Sequence, residues 1–362
     1  MMNDLLKKGS ALLVCMAVFA GCSSAPADTS KESQSTASSK VSEQTQSSTA
    51  SSKTSEPANS TTAESAPDTL QQLADNAADD AKAEAIWMNL FKETAAAYNG
   101  RYEVEGDGEI YEYQTDSPAG NVGNEDHRLY ETGRDNYSSV LSDGSILNAD
   151  VLDLDDSYDK FISGAGVISK IDTSSKSAVL KLDNTENDQL SGTIQSVTDN
   201  VFTKDTFAEN NIRDAVINGG FSRSVDPVHN SSLYSYDLQK SFDGYTLSLK
   251  VKDLDAFKEK AAAGGVLVKT LDERMVIGLD EITDDTFVFR FDKNGILKEA
   301  ENNIFHAVYD NGQKTYVNVR VETDLDNIDD DADFETNVGN FMNQVGEGTL
   351  KAGDSFTITD WQ

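Results

Sequence analysis

Residues 286–297 run Thr286-Phe287-Val288-Phe289-Arg290-Phe291-Asp292-Lys293-Asn294-Gly295-Ile296-Leu297. Every second side chain of a strand points to the same face. Phe287, Phe289 and Phe291 therefore share one apolar face, with Thr286, Val288 and Arg290 on the other. Asp292 to Gly295 supplies turn chemistry, and Ile296 opens a return strand. The same alternation precedes it: Tyr245, Leu247, Leu249 and Val251 against Thr246, Ser248, Lys250 and Lys252. It also follows, with Val317, Val319 and Val321 against Asn318, Arg320 and Glu322. Strands with one apolar and one wet face are an antiparallel habit.

Upstream the same period is shorter and less clean. It covers Arg101–Glu105, Tyr111–Tyr113, Ser145–Leu154 and Ser177–Leu182. Ser142-Asp143-Gly144, Gly164-Ala165-Gly166 and Asp183-Asn184 stand between these runs as turn signals. Before them the period is helical. Ala83, Ile86, Trp87, Leu90, Phe91, Thr94, Ala95 and Tyr98 make one apolar stripe, stopped by Asn99-Gly100. Residues 67–81 form an earlier turn of that helix or a separate one. Further helices are predicted over Lys204–Asn218, Asp253–Ala263 and Ala332–Val345. This order predicts an α+β body in which helices cover one face of an antiparallel sheet.

Composition narrows the function. The chain has 362 residues, with 30 Lys+Arg against 63 Asp+Glu, a formal net charge of −33. Such an excess of negative charge repels nucleic-acid phosphates. Two Cys give neither a disulfide framework nor a CxxC zinc pair. Beyond the first twenty residues no apolar run reaches the roughly 20 residues that span a bilayer.

The N-terminus has three parts. Lys7 and Lys8 are basic, Ala11–Ala20 is a short apolar run, and Ala20-Gly21 precedes Cys22. That is a secretory signal rather than a spanning helix. Phe19-Ala20-Gly21-Cys22 resembles the lipobox of bacterial lipoproteins, with Phe19 where that pattern prefers Leu. The resemblance implies cleavage before Cys22 and diacylglycerol attachment to its sulfur. Acyl chains then anchor the protein, at about 0.8 kcal/mol per buried CH₂. Loss of residues 1–21 removes two Lys and one Asp, leaving −34 on the mature chain. Anionic lipid and wall polymers would repel such a body.

From Ser23 to Ala66, 22 of 44 residues are Ser or Thr, and Val41 is the single large aliphatic side chain. This composition cannot bury enough apolar surface to offset ordering entropy, so residues 22–66 are expected to be a lipidated, disordered linker. A flexible coil of that length reaches about 35–40 Å on average. The expected organisation is thus a signal peptide at 1–21, the linker at 22–66 and one folded domain at 67–362.

A second resemblance concerns the domain. Tyr236-Asp237-Leu238, Phe242 to Leu247, the hairpin Phe289–Leu297 and the strands after it resemble the LolA/LppX-like lipoproteins, over roughly 83–325. More narrowly, these stretches resemble the uncharacterised lipoproteins of Firmicutes that share that family's half-barrel. The resemblance implies a curved half-barrel sheet closed by helices around an apolar cavity suited to a lipid tail. It carries over no ligand-binding motif, and the acidic segment after Asp324 has no counterpart in it.

Motifs for chemistry are sparse. His127, His229 and His306 form no HxH or HExxH spacing, which leaves no sequence-local metal site. His306 belongs to a strand, and His229, after Pro227, to a solvated loop. There is no GxSxG elbow or Walker A loop, and Ser169 stands where a GxGxxG fingerprint needs its last Gly. Acids cluster at Asp153, Asp155, Asp156 and Asp159, and again at Asp324, Asp326, Asp329, Asp330, Asp331 and Asp333. Asp329, Asp331 and Asp333 have the opening spacing of a calcium loop, but Phe334 and Asn340 occupy its Gly and Glu positions. These clusters are expected to be solvated.

The expectation is therefore a non-enzymatic, monomeric lipoprotein without metal or cofactor, held at the outer face of the cell membrane by Cys22. Its leading function is binding or handling a lipid or other apolar ligand. Tyr245, Leu247, Leu249, Phe287, Phe289, Val317 and Val319 would line the cavity. The alternative is a cell-surface interaction or sensing module for a protein, peptide or cation, with those same residues forming a packed core.

Overall fold

The computed structural model describes residues 66–361 except 114–127, 157, 159, 173–174, 186–188, 200–202, 263–267, 270–275, 278–281, 311–312 and 329–331. All of these lie in the second of two compact units, Ser65–Gln362. The expected signal, Cys22 and residues 23–65 of the expected linker fall outside the described residues, as do His127, Asp159 and the calcium-spaced Asp329 and Asp331.

The body opens with helices α1 (Ala66–Asp75) and α2 (Asp80–Ala97). The Asp79 carboxylate caps α2 by accepting from the Lys82 backbone N–H. Asn99 and Gly100, at φ 54° and 73°, turn the chain out of the helix. A Cβ at Gly100 would stand 2.5 Å from Val140 Cγ2, so both conformation and space call for glycine there.

Strands β1 (Tyr102–Tyr113), β2 (Arg128–Val140), β3 (Ile146–Asp156), β4 (Phe161–Ile171), β5 (Lys176–Asn184) and β6 (Gln189–Asp199) then form a meander. Helix α3 (Lys204–Asn218) follows, then β7 (Ser222–Arg223), β8 (Tyr234–Lys240), β9 (Gly244–Val251) and α4 (Leu254–Ala261). The chain continues through β10 (Val268–Lys269), β11 (Val276–Ile277), β12 (Ile282–Asp292), β13 (Leu297–Asp310), β14 (Gln313–Asn327), α5 (Ala332–Gly346) and β15 (Ser355–Thr359). The main sheet has twelve strands, in the order β15-β6-β5-β4-β3-β2-β1-β14-β13-β12-β9-β8. Every pair in it is antiparallel, and β1 joins the two halves through Tyr102↔Asn327 to Tyr113↔Tyr316. Its ends, β15 and β8, do not pair with each other among the described residues, so the sheet is an open half-barrel. Strands β11, β10 and β7 make a small second sheet.

The expected helix-covered face is one of two. Register places Tyr102 and Val104 of β1, Val319 and Leu325 of β14, Ile304 of β13, Phe289 of β12 and Leu247 of β9 on one side. With α1, α2, α3 and α4 they bury the larger core. Tyr137 of β2 pairs with Glu103, which points the opposite way. Tyr137, Ala149, Ile168 and Leu180 then build a second core with α5, Phe356, Ile358 and Trp361. The larger apolar side of the sheet therefore changes at the β1–β2 boundary; α5 covers the second core, while α3 packs on the opposite face of β2 to β4, with Phe207 against Ile146 and Ile171.

Gly164-Ala165-Gly166 is not a turn; it lies inside β4. A Cβ on Gly164 would meet Leu182 Cβ at 2.9 Å and Phe161 Cζ at 3.1 Å. Glycine is required there for close packing between strands, a role that imitates a turn signal in sequence.

Candidate functional site

The expected cavity wall is made as a contiguous face. Tyr245, Leu247 and Leu249 of β9 pair with Phe291, Phe289 and Phe287 of β12. Val319 of β14 lies opposite Ile304 of β13. Leu247, Leu249, Phe287, Phe289 and Val319 are at most 1% exposed, and Tyr245 is 9% exposed. Val317 takes its place on β14 opposite His306 of β13; neither side chain is among those described. The face is covered by α2: the Trp87 ring lies 4.8 Å from that of Phe289 and stacks on Phe91 at 5.7 Å. Phe287 and Phe289 stack at 5.8 Å. These residues belong to one packed apolar cluster with α2.

Polar groups that periodicity did not single out are buried on the same side. Arg134 of β2 grips Asp150 of β3 with Nε and Nη2, at 2.7 and 2.8 Å. Its Nη1 donates to the carbonyls of Asp214 and Gly219, which fastens the end of α3 to the sheet. Beside it the Asn211 amide donates to Asn136 and to the Tyr102 hydroxyl. Burial pushes the Tyr102 phenol up to about 12. A second knot joins Arg223 to Asp285 at 2.7 Å, with Tyr234 and Asn302 also donating to Asp285. Buried ions so fully bonded lock strands together. Alternating polar residues look the same in sequence whether they face water or a buried partner, so their register alone reveals them.

His229 departs from its expected solvation. Its Nδ1 lies 2.8 Å from Asp226 Oδ2, and its Nε2 lies 3.2 Å from Arg213 Nη1. The hydrogen bond it donates to the Asp226 carboxylate raises its pKa, outweighing burial. With a guanidinium on its outer nitrogen, this ring holds a loop rather than presenting a base to a substrate.

The face of β1, β2, β13 and β14 turned away from α2 is acidic. Glu105 pairs with Asp135 on one flank and Asp324 on the other. Asp107 pairs with Glu322, and Glu299 with Asp324. Burial, followed by the repulsion of Asp153, Glu105, Glu103 and Asp107, pushes Asp135 up to about 7. Burial first, and then neighbouring acids, raise Glu105, Asp107 and Asp324 as well. Among the described residues, no three His, Cys, Asp or Glu converge as a set of metal ligands.

A groove of about 370 Å³ opens at the other end of the sheet, between α5 and β15. Asn337, Asn340 and Gln344 rim it from α5, Thr357 from β15, and Phe341 and Leu350 add apolar surface. Sequence periodicity predicted α5, but β15 was not anticipated and the groove with it.

No family model matches this chain, and no curated protein matches it. Among solved structures, a DUF1329 family protein from Desulfovibrio piger aligns at 9% identity and TM-score 0.19, covering 67% of this chain and 90% of that one. The β-barrel-like DUF1849 protein of Brucella abortus aligns at 10% identity and TM-score 0.15, covering 64% and 98%. The MucA/MucB complex of Pseudomonas aeruginosa aligns at 8% identity and TM-score 0.11, covering 64% and 92%. These scores lie far below the level at which two chains share a fold.

Proposed function

We propose that this protein is a non-enzymatic binding module, tethered by a lipidated Cys22 to the outer face of the cell membrane. Phe19-Ala20-Gly21-Cys22 after a short apolar run supports the anchor, and the Ser/Thr-rich stretch after it supports a flexible tether. The observation that carries the binding reading is the pairing of a closed core with an open groove. The aromatic face of β9 and β12 is occupied by Trp87 and Phe91, so a lipid tail there would have to displace α2. The uncharged groove beside α5 needs no such rearrangement. A macromolecular partner is therefore the leading ligand, and a lipid the second.

Native mass spectrometry of the full-length protein, purified from membranes in mild detergent, separates the two. The interaction reading expects the mass of the acylated chain without a resident lipid, and a stoichiometric envelope protein on affinity capture. A resident lipid at one per chain, lost in a Leu247→Trp variant, would give the function to the apolar face instead. The anchor has its own test. Cys22→Ala should move the protein out of the membrane fraction or leave it unprocessed. Normal processing with full membrane retention would refute lipidation.

A further inference from the structure

We propose that the groove between α5 and β15 binds an extended, uncharged peptide, which adds to β15 as a thirteenth strand of the sheet. The inference rests on the binding-module reading and names the partner chemistry of one site within it.

Among the described residues, strand β15 pairs only with β6 and ends the sheet. Its far edge carries backbone N–H and C=O groups with no strand beside them among the described residues. Such an edge is a template for another chain, and proteins commonly blunt it with charge, proline or a covering helix. The opposite edge is treated in that way: β8 carries Asp237 and Lys240, and α1 packs against it. Ser355-Phe356-Thr357-Ile358-Thr359 has neither charge nor proline; α5 packs against it, with the Phe341 and Phe356 rings 5.3 Å apart, and its outer edge has no strand beside it among the described residues.

All five residues of this strand line the groove, and its chemistry selects the guest. All ten residues that line it are uncharged, in a chain with 63 acids. A charged side chain entering it would lose hydration and gain no counter-ion. Asn337, Asn340 and Gln344 each offer an amide donor and an acceptor, the complement of a peptide backbone. Asn337 already shows this use, donating to the Asp360 carbonyl at 3.2 Å. Phe341 and Leu350 supply apolar surface for alternate side chains of an added strand. At about 370 Å³ the space suits the side chains of a short segment.

The test uses the full-length protein in detergent micelles and a pool of capped octapeptides built from Ala, Ser, Thr, Asn, Val, Ile and Phe. Two matched pools carry either Lys and Glu, or N-methyl groups, at alternate positions. Captured peptides are read by mass spectrometry. The neutral pool should be enriched at least about tenfold over both others, because N-methylation removes strand hydrogen bonds and leaves the side chains in place. Asn340→Glu with Gln344→Glu, both on the exposed surface of α5, should abolish the enrichment while leaving the urea midpoint unchanged. Equal capture of the N-methylated pool, capture that survives the double substitution, or no capture at all would overturn the proposal. So would a concentration-dependent dimer that the double substitution breaks, since the edge would then serve a second copy. If the variant still retains the envelope partner found by affinity capture, the groove assignment fails and the binding-module reading stands.

Discussion

At the residue scale, Asp135 is the group whose chemistry depends most on its neighbours. It lies on β2 opposite Glu105, and burial among Asp153, Glu105, Glu103 and Asp107 pushes its pKa from 3.8 to about 7. The folded chain therefore holds a proton on it that the unfolded chain releases. Stability from this group is fully present below about pH 4, and it is lost as pH rises towards 7. The urea midpoint should fall between pH 5 and pH 8, with Asp135 contributing on the order of 1–3 kcal/mol. Asp135→Asn should flatten that part of the profile. Part of the slope should remain, because Glu105 and Asp107 are shifted in the same direction. A variant with the wild-type slope would mean that other acids carry the effect. The sequence shows the acids here but not their crowding, since Asp135 and Asp153 are 18 positions apart and meet only through strand register.

At the element scale, what was legible in the sequence followed amphipathic contrast. Trp87, Leu90 and Phe91 at helical spacing gave α2, and Lys204–Asn218 gave α3 to the residue. Phe287, Phe289 and Phe291 gave the core of β12. Strand β2, Arg-Leu-Tyr-Glu-Thr-Gly-Arg-Asp-Asn-Tyr-Ser-Ser-Val, escaped because its inward residues include Arg134 and Asn136, which bond to α3 and β3, and Ser138, which bonds to Tyr102 of β1, instead of packing as hydrocarbon. The short β15 escaped because Phe356 and Ile358 give only two inward apolar positions. In β4 the error ran the other way, since its glycines are demanded by neighbours rather than by a bend. Gly164→Val should cost about 1–3 kcal/mol by overpacking against Leu182 and Phe161. Chemical denaturation measures this directly. A turn glycine at negative φ, open to solvent, would tolerate the same change, so an unaltered midpoint would contradict the packing account.

At the scale of the whole molecule, the change of apolar face decides where charge accumulates. Because β1, β13 and β14 bury their other side under α2, their wet face must hold the acids. It sets Glu103 against Asp326, Asp107 against Glu322 and Glu301 against Glu322 as cross-strand neighbours. Arg290 offsets part of this by pairing with Glu299 and Glu301, and Arg320 pairs with Glu109, Glu301 and Glu322. Two guanidiniums do not balance that many carboxylates, and like charges directly opposite each other destabilise a sheet. Added salt should therefore stabilise the protein. From 0.01 to 0.5 M NaCl the screening length falls from about 30 Å to under 10 Å, and cross-strand repulsion weakens with it. A gain of about 1–2 kcal/mol, seen as a rise of several degrees in Tm, is the expected scale for a domain of this size. Glu105→Gln removes the acid flanked on both sides by others, so it should raise Tm at low salt and shrink the salt response. If salt instead lowered Tm, the Arg290 and Arg320 pairs would outweigh the repulsion, and the acidic face would be a network of bonds. The same sign bears on the neutral groove at β15. A body that repels anions and itself through most of its surface leaves its uncharged edge as the place where another chain approaches at least electrostatic cost.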